Sequence, residues 1–375
     1  MTDLRAAIVG TGFMGRVHAE ALARIGVSVV GFVGSSPQRV AAAGLAPAYG
    51  SFDEMLGDDR VDVVHICSPN EQHRGQVLAA LRAGKHVVCE KPLALTAAQS
   101  RELCSTATEL GLVNAVCFVN RFYPLCQDAA FRVSSGSVGP VRLITGQYLQ
   151  DWLAKDTDWN WRLDPAVGGS LRVVGDIGSH WLDLVGYVSG QRIDAVMADL
   201  TTAIPQRIRP TGSVETFAES NGTGEAVTVT SEDIAGVLLR FSGGARGVLT
   251  LSQISLGRKN NLSFEMSGAD ASLAWGLENP EQLWIGYRDG PNQLQLREAG
   301  DYPAGHAQGY PDTFKAMFGA VYAAVADGKV PEAPNYPTFD DGLEQVLVGE
   351  AIAESARVGH WVSVERTDPR KRAAT

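Results

Sequence analysis

The chain has 375 residues, 45% of them hydrophobic and 20% charged, the balance of a globular protein long enough for two cores. A formal net charge of −10 argues against nucleic acid or an anionic membrane as partner, and no apolar stretch reaches membrane-spanning length. Five cysteines, at 67, 89, 104, 117 and 126, lack metal-type spacing and read as free thiols, so no metal site is expected.

A short apolar strand holding Ile8 and Val9 runs into Gly10-Thr11-Gly12-Phe13-Met14-Gly15, and a helix-compatible run over 19–25 follows. In that setting the glycine pattern reads as a dinucleotide turn. Gly10 permits the tight turn, Gly12 lets a pyrophosphate approach, and Gly15 lets the helix pack closely. The helix N-terminus then offers free N–H groups to the phosphates. Apolar runs at 27–33, 61–67, 86–89 and 112–119 read as further strands. Helical patterns at 72–83 and 97–110 lie between them, each closed by a glycine. The alternation predicts a doubly wound parallel sheet, a Rossmann domain, over residues 1–122.

The loops after these strands carry candidate binding residues. An acid about 20 residues past the glycine turn, usual for an NAD ribose, is missing. Ser35, Ser36 and Arg39 stand there instead; the missing acid leans toward NADP, whose 2′-phosphate they could bind, but serines also suit a ribose hydroxyl, so NAD and NADP both remain open. Ser68-Pro69-Asn70 and His73 follow the third strand and should border the nucleotide, with Asn70 able to cap the next helix. Glu90-Lys91-Pro92 follows the fourth. A lysine there faces the nicotinamide end, where a cation favours alkoxide character on a reacting hydroxyl. From the fifth strand, Asn120 can reach the carboxamide, and Arg121 the substrate or an inter-domain carboxylate.

Beyond residue 123 the texture changes. Strand patterns at 141–152, 195–204, 262–266, 272–275 and 283–287, with a hairpin at 234–241 and 246–254, imply a mostly antiparallel sheet. Helices at 178–188, 312–326 and 340–357 cover one side. Residues 123–366 are thus expected to form an α+β substrate domain with an open-faced sheet, whose bare face predicts a homodimer or homotetramer. The polar stretch 205–231 reads as a long flexible excursion and 367–375 as a frayed tail. Trp152, Trp159 and Trp161 with Arg162 form an aromatic loop suited to a sugar face, or to anchoring the loop on the core. Arg172 suits an anionic substituent or a salt bridge, and His306 could close over the substrate from a loop. Asp176 and His180 are four apart near a helix start, so they face the same way.

The glycine turn, Ser68-Pro69-Asn70 with His73, Glu90-Lys91-Pro92, Gly168-Gly169-Ser170 and Asp176-Ile177-Gly178-Ser179-His180 occur in this order and spacing across essentially the whole chain. In that arrangement the chain resembles the Gfo/Idh/MocA oxidoreductases. The resemblance implies hydride transfer between a nicotinamide cofactor and a ring secondary alcohol of a sugar, glycoside or cyclitol. It casts His180 as proton acceptor, Asp176 as its partner and Lys91 as holder of the oxygen, with Trp161 and Arg162 near the nicotinamide. One alternative is a glycosidase that uses tightly bound NAD for transient oxidation, elimination and water addition, with Arg121, Arg162 or Arg172 selecting an acidic or sulfonated sugar. A non-enzymatic nucleotide sensor is another. Because acidic Asp3 and then a strand stand at the N-terminus, where a secretory leader would be basic and apolar, a cytoplasmic enzyme is expected.

Overall fold

Strand and helix alternate through the first third of the computed structural model, which describes residues 4–212, 222–297, 302–303 and 305–366. The expected tail at 367–375 lies outside the described residues. In chain order come β1 (Arg5–Val9), α1 (Phe13–Arg24), β2 (Ser28–Val33), the short helices α2 (Pro37–Ala42) and α3 (Phe52–Leu56), and β3 (Val63–Ile66). Then follow α4 (Asn70–Arg82), β4 (His86–Cys89), α5 (Ala97–Glu109) and β5 (Asn114–Val116). The strands pair in parallel in the order β2-β1-β3-β4-β5. Helices cover both faces, which is why every residue of β3 is buried and the strand has no polar-out alternation. Because all five strands run the same way, the loops after β1, β3 and β4 emerge at one edge.

A second layer starts with α6 (Pro124–Ser134), β6 (Leu143–Leu149) and α7 (Pro165–Gly168). A π-helical turn over Val174–Gly178 then leads directly into α8 (Ser179–Ser189). After it come β7 (Ile193–Thr201), β8 (Gln206–Pro210), β9 (Gly224–Thr228), β10 (Ile234–Phe241), β11 (Arg246–Ser252), β12 (Asn261–Ser267), β13 (Ser272–Gly276), β14 (Gln282–Gly286) and β15 (Gln293–Leu296). The helices α9 (Tyr310–Ala326) and α10 (Phe339–Val358) and the short β16 (Val362–Ser363) close the chain. Among the described residues nine strands form one sheet in the order β15-β14-β13-β12-β6-β11-β10-β7-β16; each pair is antiparallel except β6 beside β11. Alternation along β10 buries Ala235, Val237, Leu239 and Phe241 in the core that also holds Trp181 and Leu184 of α8. Among the described residues the opposite face is left exposed at its centre: Met197, Leu238 and Val248, each about two-fifths exposed, lie directly opposite one another on β7, β10 and β11.

Two elements differ from expectation. The stretch 205–231 is not simply an excursion: β8 and β9 pair with each other as a two-stranded arm. Their side chains are mostly exposed, so no apolar alternation marked them as strands. Within 123–366, α9 packs on the first sheet, where Phe314, Phe318 and Tyr322 share a core with Ile8 and Leu22. Among the described residues no helix is long and apolar enough to cross a membrane.

Candidate active site

Between the carboxyl edge of the parallel sheet and the second domain lies a cleft of about 790 Å³. Gly10, Gly12, Phe13 and Met14 line one end. Gly10 has φ +109°, and a Cβ on it would sit 2.4 Å from the Cys67 carbonyl oxygen. Gly15 is outside the lining; its Cβ would lie 2.1 Å from the Gly10 oxygen, so it closes the turn upon itself more than it docks the helix on the strand. Gly12 has nothing within 4 Å of a Cβ position, and it caps α1 without any side-chain bond. An open cradle with unsatisfied helix N–H groups fits a dinucleotide pyrophosphate.

Ser35 also lines the cleft, but Ser36 does not: its hydroxyl accepts the Arg39 N–H and caps α2. Arg39 is exposed and likewise outside the lining. Ser68, Pro69, Asn70 and His73 all reach the cleft wall. Asn70 is the first residue of α4 and not its cap, because Pro69 takes that place; the Asn70 amide instead donates to the Gly168 carbonyl at 2.9 Å. His73 is buried between the Pro92 and Ser68 carbonyls, tying the loop after β4 to the loop after β3.

The loop after β4 and the π-helical turn meet in the middle of the cleft. Lys91 Nζ donates to Asp176 Oδ1 at 2.7 Å and to its main-chain oxygen at 3.1 Å. Arg162 Nε approaches the same Oδ1 at 3.2 Å, and its guanidinium lies 4.3 Å over the Trp161 ring. Burial alone would raise the Asp176 pKa, but Lys91 and Arg162 outweigh it and hold the carboxyl well below the usual range. His180 lies between Phe118 and Tyr148, and its Nδ1 is buried without a hydrogen bond. Burial, then the Lys91 cation, pushes its pKa down to about 3. The set is therefore an ionised carboxylate, a cation and a neutral imidazole.

Glu90 is buried at the end of a row of hydrogen bonds: Tyr322 Oη to His65 Nε2 at 3.0 Å, His65 Nδ1 to His18 Nδ1 at 2.9 Å, and His18 Nε2 to Glu90 at 3.1 Å. An ionised Glu90 only accepts, so it sets each tautomer in turn, and all three donors point toward it. Burial, the largest single influence, would raise the Glu90 pKa; the His18 hydrogen bond together with the His18, Lys91 and His180 charges outweighs it and lowers it.

Asn120, Trp152, Trp161 and Arg162 all line the cleft, whereas Arg121, Arg172 and His306 do not. Arg121 pairs with Asp183 at 2.5 Å and Asp341 at 2.8 Å, the inter-domain carboxylates that were the alternative to substrate. Arg172 is fully buried against Asp233, with no access for an anionic sugar. His306 is exposed, and its ring turns to the Pro303 carbonyl. Trp159 packs with Leu153, Leu163 and Val229 as a loop anchor. Sequence reasoning passed over Tyr148 and Gln150, which share the wall with Trp152. Their spacing by two with Trp152, running on from the end of β6, was the available signal. Asn260 and Lys259, from the turn before β12, had none.

A model of an oxidoreductase family with an NAD-binding Rossmann fold matches residues 4–118, and a model of the GFO/IDH/MocA C-terminal domain matches 126–274. Levoglucosan dehydrogenase of Pseudarthrobacter phenanthrenivorans is 29% identical, over 97% of this chain and 99% of its own. Among solved structures, an oxidoreductase domain protein from Kribbella flavida superposes with a TM-score of 0.88 at 31% identity, covering 98% of this chain and all of that one. A levoglucosan dehydrogenase in complex with NADH and levoglucosan superposes at 0.86 and 26% identity, over 97% of this chain and all of that one.

Proposed function

The chain belongs to the GFO/IDH/MocA oxidoreductase family, and from that footing we propose that it is a nicotinamide-dependent dehydrogenase acting on a ring secondary alcohol of a sugar. One observation carries the reading to residues: the Lys91–Asp176 ion pair joins the two domains in the same cleft as the His180 imidazole. When bound, the nicotinamide supplies the hydride acceptor. Gly10, Gly12, Phe13, Met14 and Ser35 would hold the dinucleotide, with Asn120, Trp161 and Arg162 toward its reactive end.

Two of the three Lys91 ammonium donors go to Asp176, so the third is left for the substrate oxygen. A cation there stabilises the negative charge that develops as the C–H bond breaks. Asp176 stays ionised and keeps the lysine in place, its two oxygens facing three donors between them: Lys91, Arg162 and Gln253. His180 is neutral at working pH, so a ring lone pair is there to take the hydroxyl proton, and the neighbouring Asp176 carboxylate partly offsets the burial and the Lys91 cation that hold its basicity down. The roles are set by environment: three donors, two of them cations, surround the carboxylate, while the imidazole Nδ1 has no hydrogen bond.

The test is a panel of pyranosides, anhydrosugars and nitrophenyl glycosides with NAD⁺ and with NADP⁺, following reduced-nicotinamide absorbance and aglycone release together. Sugar-dependent growth of the absorbance is expected, and the preferred cofactor reports what Ser35 accepts in place of an acid. Aglycone release with no net absorbance change would overturn the dehydrogenase reading.

The bare sheet face supports self-association. Met197, Leu238 and Val248 form a continuous apolar strip that a second copy would cover. Light scattering is expected to give at least twice the chain mass. A single species of 39.9 kDa would remove this part of the proposal.

A further inference from the structure

Behind the cleft lies an ionic cluster that the chemistry above does not use. Arg172 and Arg207 are fully buried, and both guanidinium groups reach Asp233 Oδ1, Arg207 at 2.7 Å. Glu232 accepts the main-chain N–H groups of Arg172 and Val174 at 2.8 and 3.0 Å, at the start of the π-helical turn. One arm of Arg172, Nη1, is left over, and it donates to Gln253 Oε1 at 3.2 Å. The Gln253 amide nitrogen in turn donates to Asp176 Oδ2 at 2.8 Å. Gln253, immediately after β11, is wholly buried.

A glutamine amide can ordinarily turn over, exchanging its oxygen and nitrogen. This one cannot. Turned over, it would set its NH₂ against a guanidinium that only donates and its oxygen against a carboxylate that only accepts. Arg172 thus dictates which end of Gln253 faces Asp176. Since Oδ2 is held by Gln253, Oδ1 is left for Lys91 and Arg162. Arg207 also binds the Leu153 and Lys155 carbonyls, so the same cluster roots the β8–β9 arm and the loop that carries Trp152.

We propose that Gln253, oriented by Arg172, is a positioning residue: it holds one oxygen of Asp176 so that the other aims at Lys91. The inference rests on the reading of Lys91 and Asp176 as catalytic. It needs Gln253 to touch neither sugar nor dinucleotide, and it lies outside the cleft lining.

Gln253→Leu removes the donor at similar volume; Gln253→Glu keeps the shape and replaces the donor by a carboxylate. For Gln253→Leu, kcat on the best substrate of the panel is expected to fall at least about tenfold, the loss of a buried hydrogen bond to a charge, with little change in cofactor affinity. Its crystal structure should show the Asp176 carboxylate turned and the Lys91 contact broken. In Gln253→Glu the loss should be greatest at alkaline pH. Activity should recover toward the parent as pH falls, because a protonated Glu again donates to Asp176. A purely structural role would not produce that recovery. The proposal is overturned if Gln253→Leu keeps the 2.7 Å Lys91–Asp176 contact with kcat within twofold of the parent, or if the Gln253→Glu ratio is flat with pH. Full activity in Asp176→Asn and Lys91→Met would instead overturn the catalytic reading on which it stands.

Discussion

Replacing Lys91 by methionine is expected to lower kcat by about 10³-fold, the loss seen when one preorganised donor to a developing oxyanion is removed. Dinucleotide affinity should change only a few-fold. On the proposed reading the dinucleotide phosphates meet the glycine turn and the N-terminus of α1, which Lys91 does not support. The fold should tolerate the change as well. Asp176 would keep Arg162 at 3.2 Å and Gln253 at 2.8 Å, so its carboxylate would not be stranded, and methionine fills the space of the lysine stem. Steady-state kinetics alongside calorimetric titration with NAD⁺ separate the two effects. A variant that binds cofactor normally and turns over within tenfold of the parent would show that the reacting oxygen is held elsewhere.

The largest effect on stability is expected at Asp233. Its Oδ1 serves two buried guanidinium groups and its Oδ2 accepts the Ile204 N–H at 2.8 Å. Asp233→Asn preserves the shape but leaves Arg172 and Arg207 side by side without their shared counter-charge. Removing one partner of a buried ion pair costs about 3–5 kcal/mol. For a domain of this size that corresponds to a fall in Tm on the order of 10 °C. Activity at low temperature should fall too, because Arg172 would no longer hold Gln253. Scanning calorimetry decides it: a Tm within about 2 °C of the parent, against the roughly 10 °C fall expected, would mean that the two cations are stabilised without Asp233.

What could be read from the residues alone was whatever short-range spacing encodes. The glycine turn, the lysine after β4 and the Asp176–His180 pair each sit within a few positions of a strand end or helix start, so local pattern and chemistry coincide there. Apolar alternation did the same for β10 and β11. Contacts between distant segments left no such mark. Nothing in the chain ties Gln253 to Asp176, or Arg172 to Asp233, until the second sheet brings them together. Arg172 invited a reading as a substrate ligand because an arginine near a catalytic pair usually faces solvent, and its burial is a tertiary fact. The β8–β9 arm escaped notice because its most buried side chain is the polar Arg207 and most of the others are exposed or half-buried, so the strands carry no hydrophobic period. His306 shows the converse: its glycine-bounded loop looked mobile and functional, yet the ring turns back onto its own segment.

The one parallel pair in the large sheet also bears on how the molecule is made. β10–β11 and β12–β13 are hairpins that can close as soon as they leave the ribosome, but β6 must wait for both, since Leu143 lies opposite Arg246 and Leu149 opposite Asn261. Such a long-range seam closes late and slowly. Until it does, the strand that carries Tyr148 is unpaired, and a nascent chain released early would expose two raw sheet edges to its neighbours.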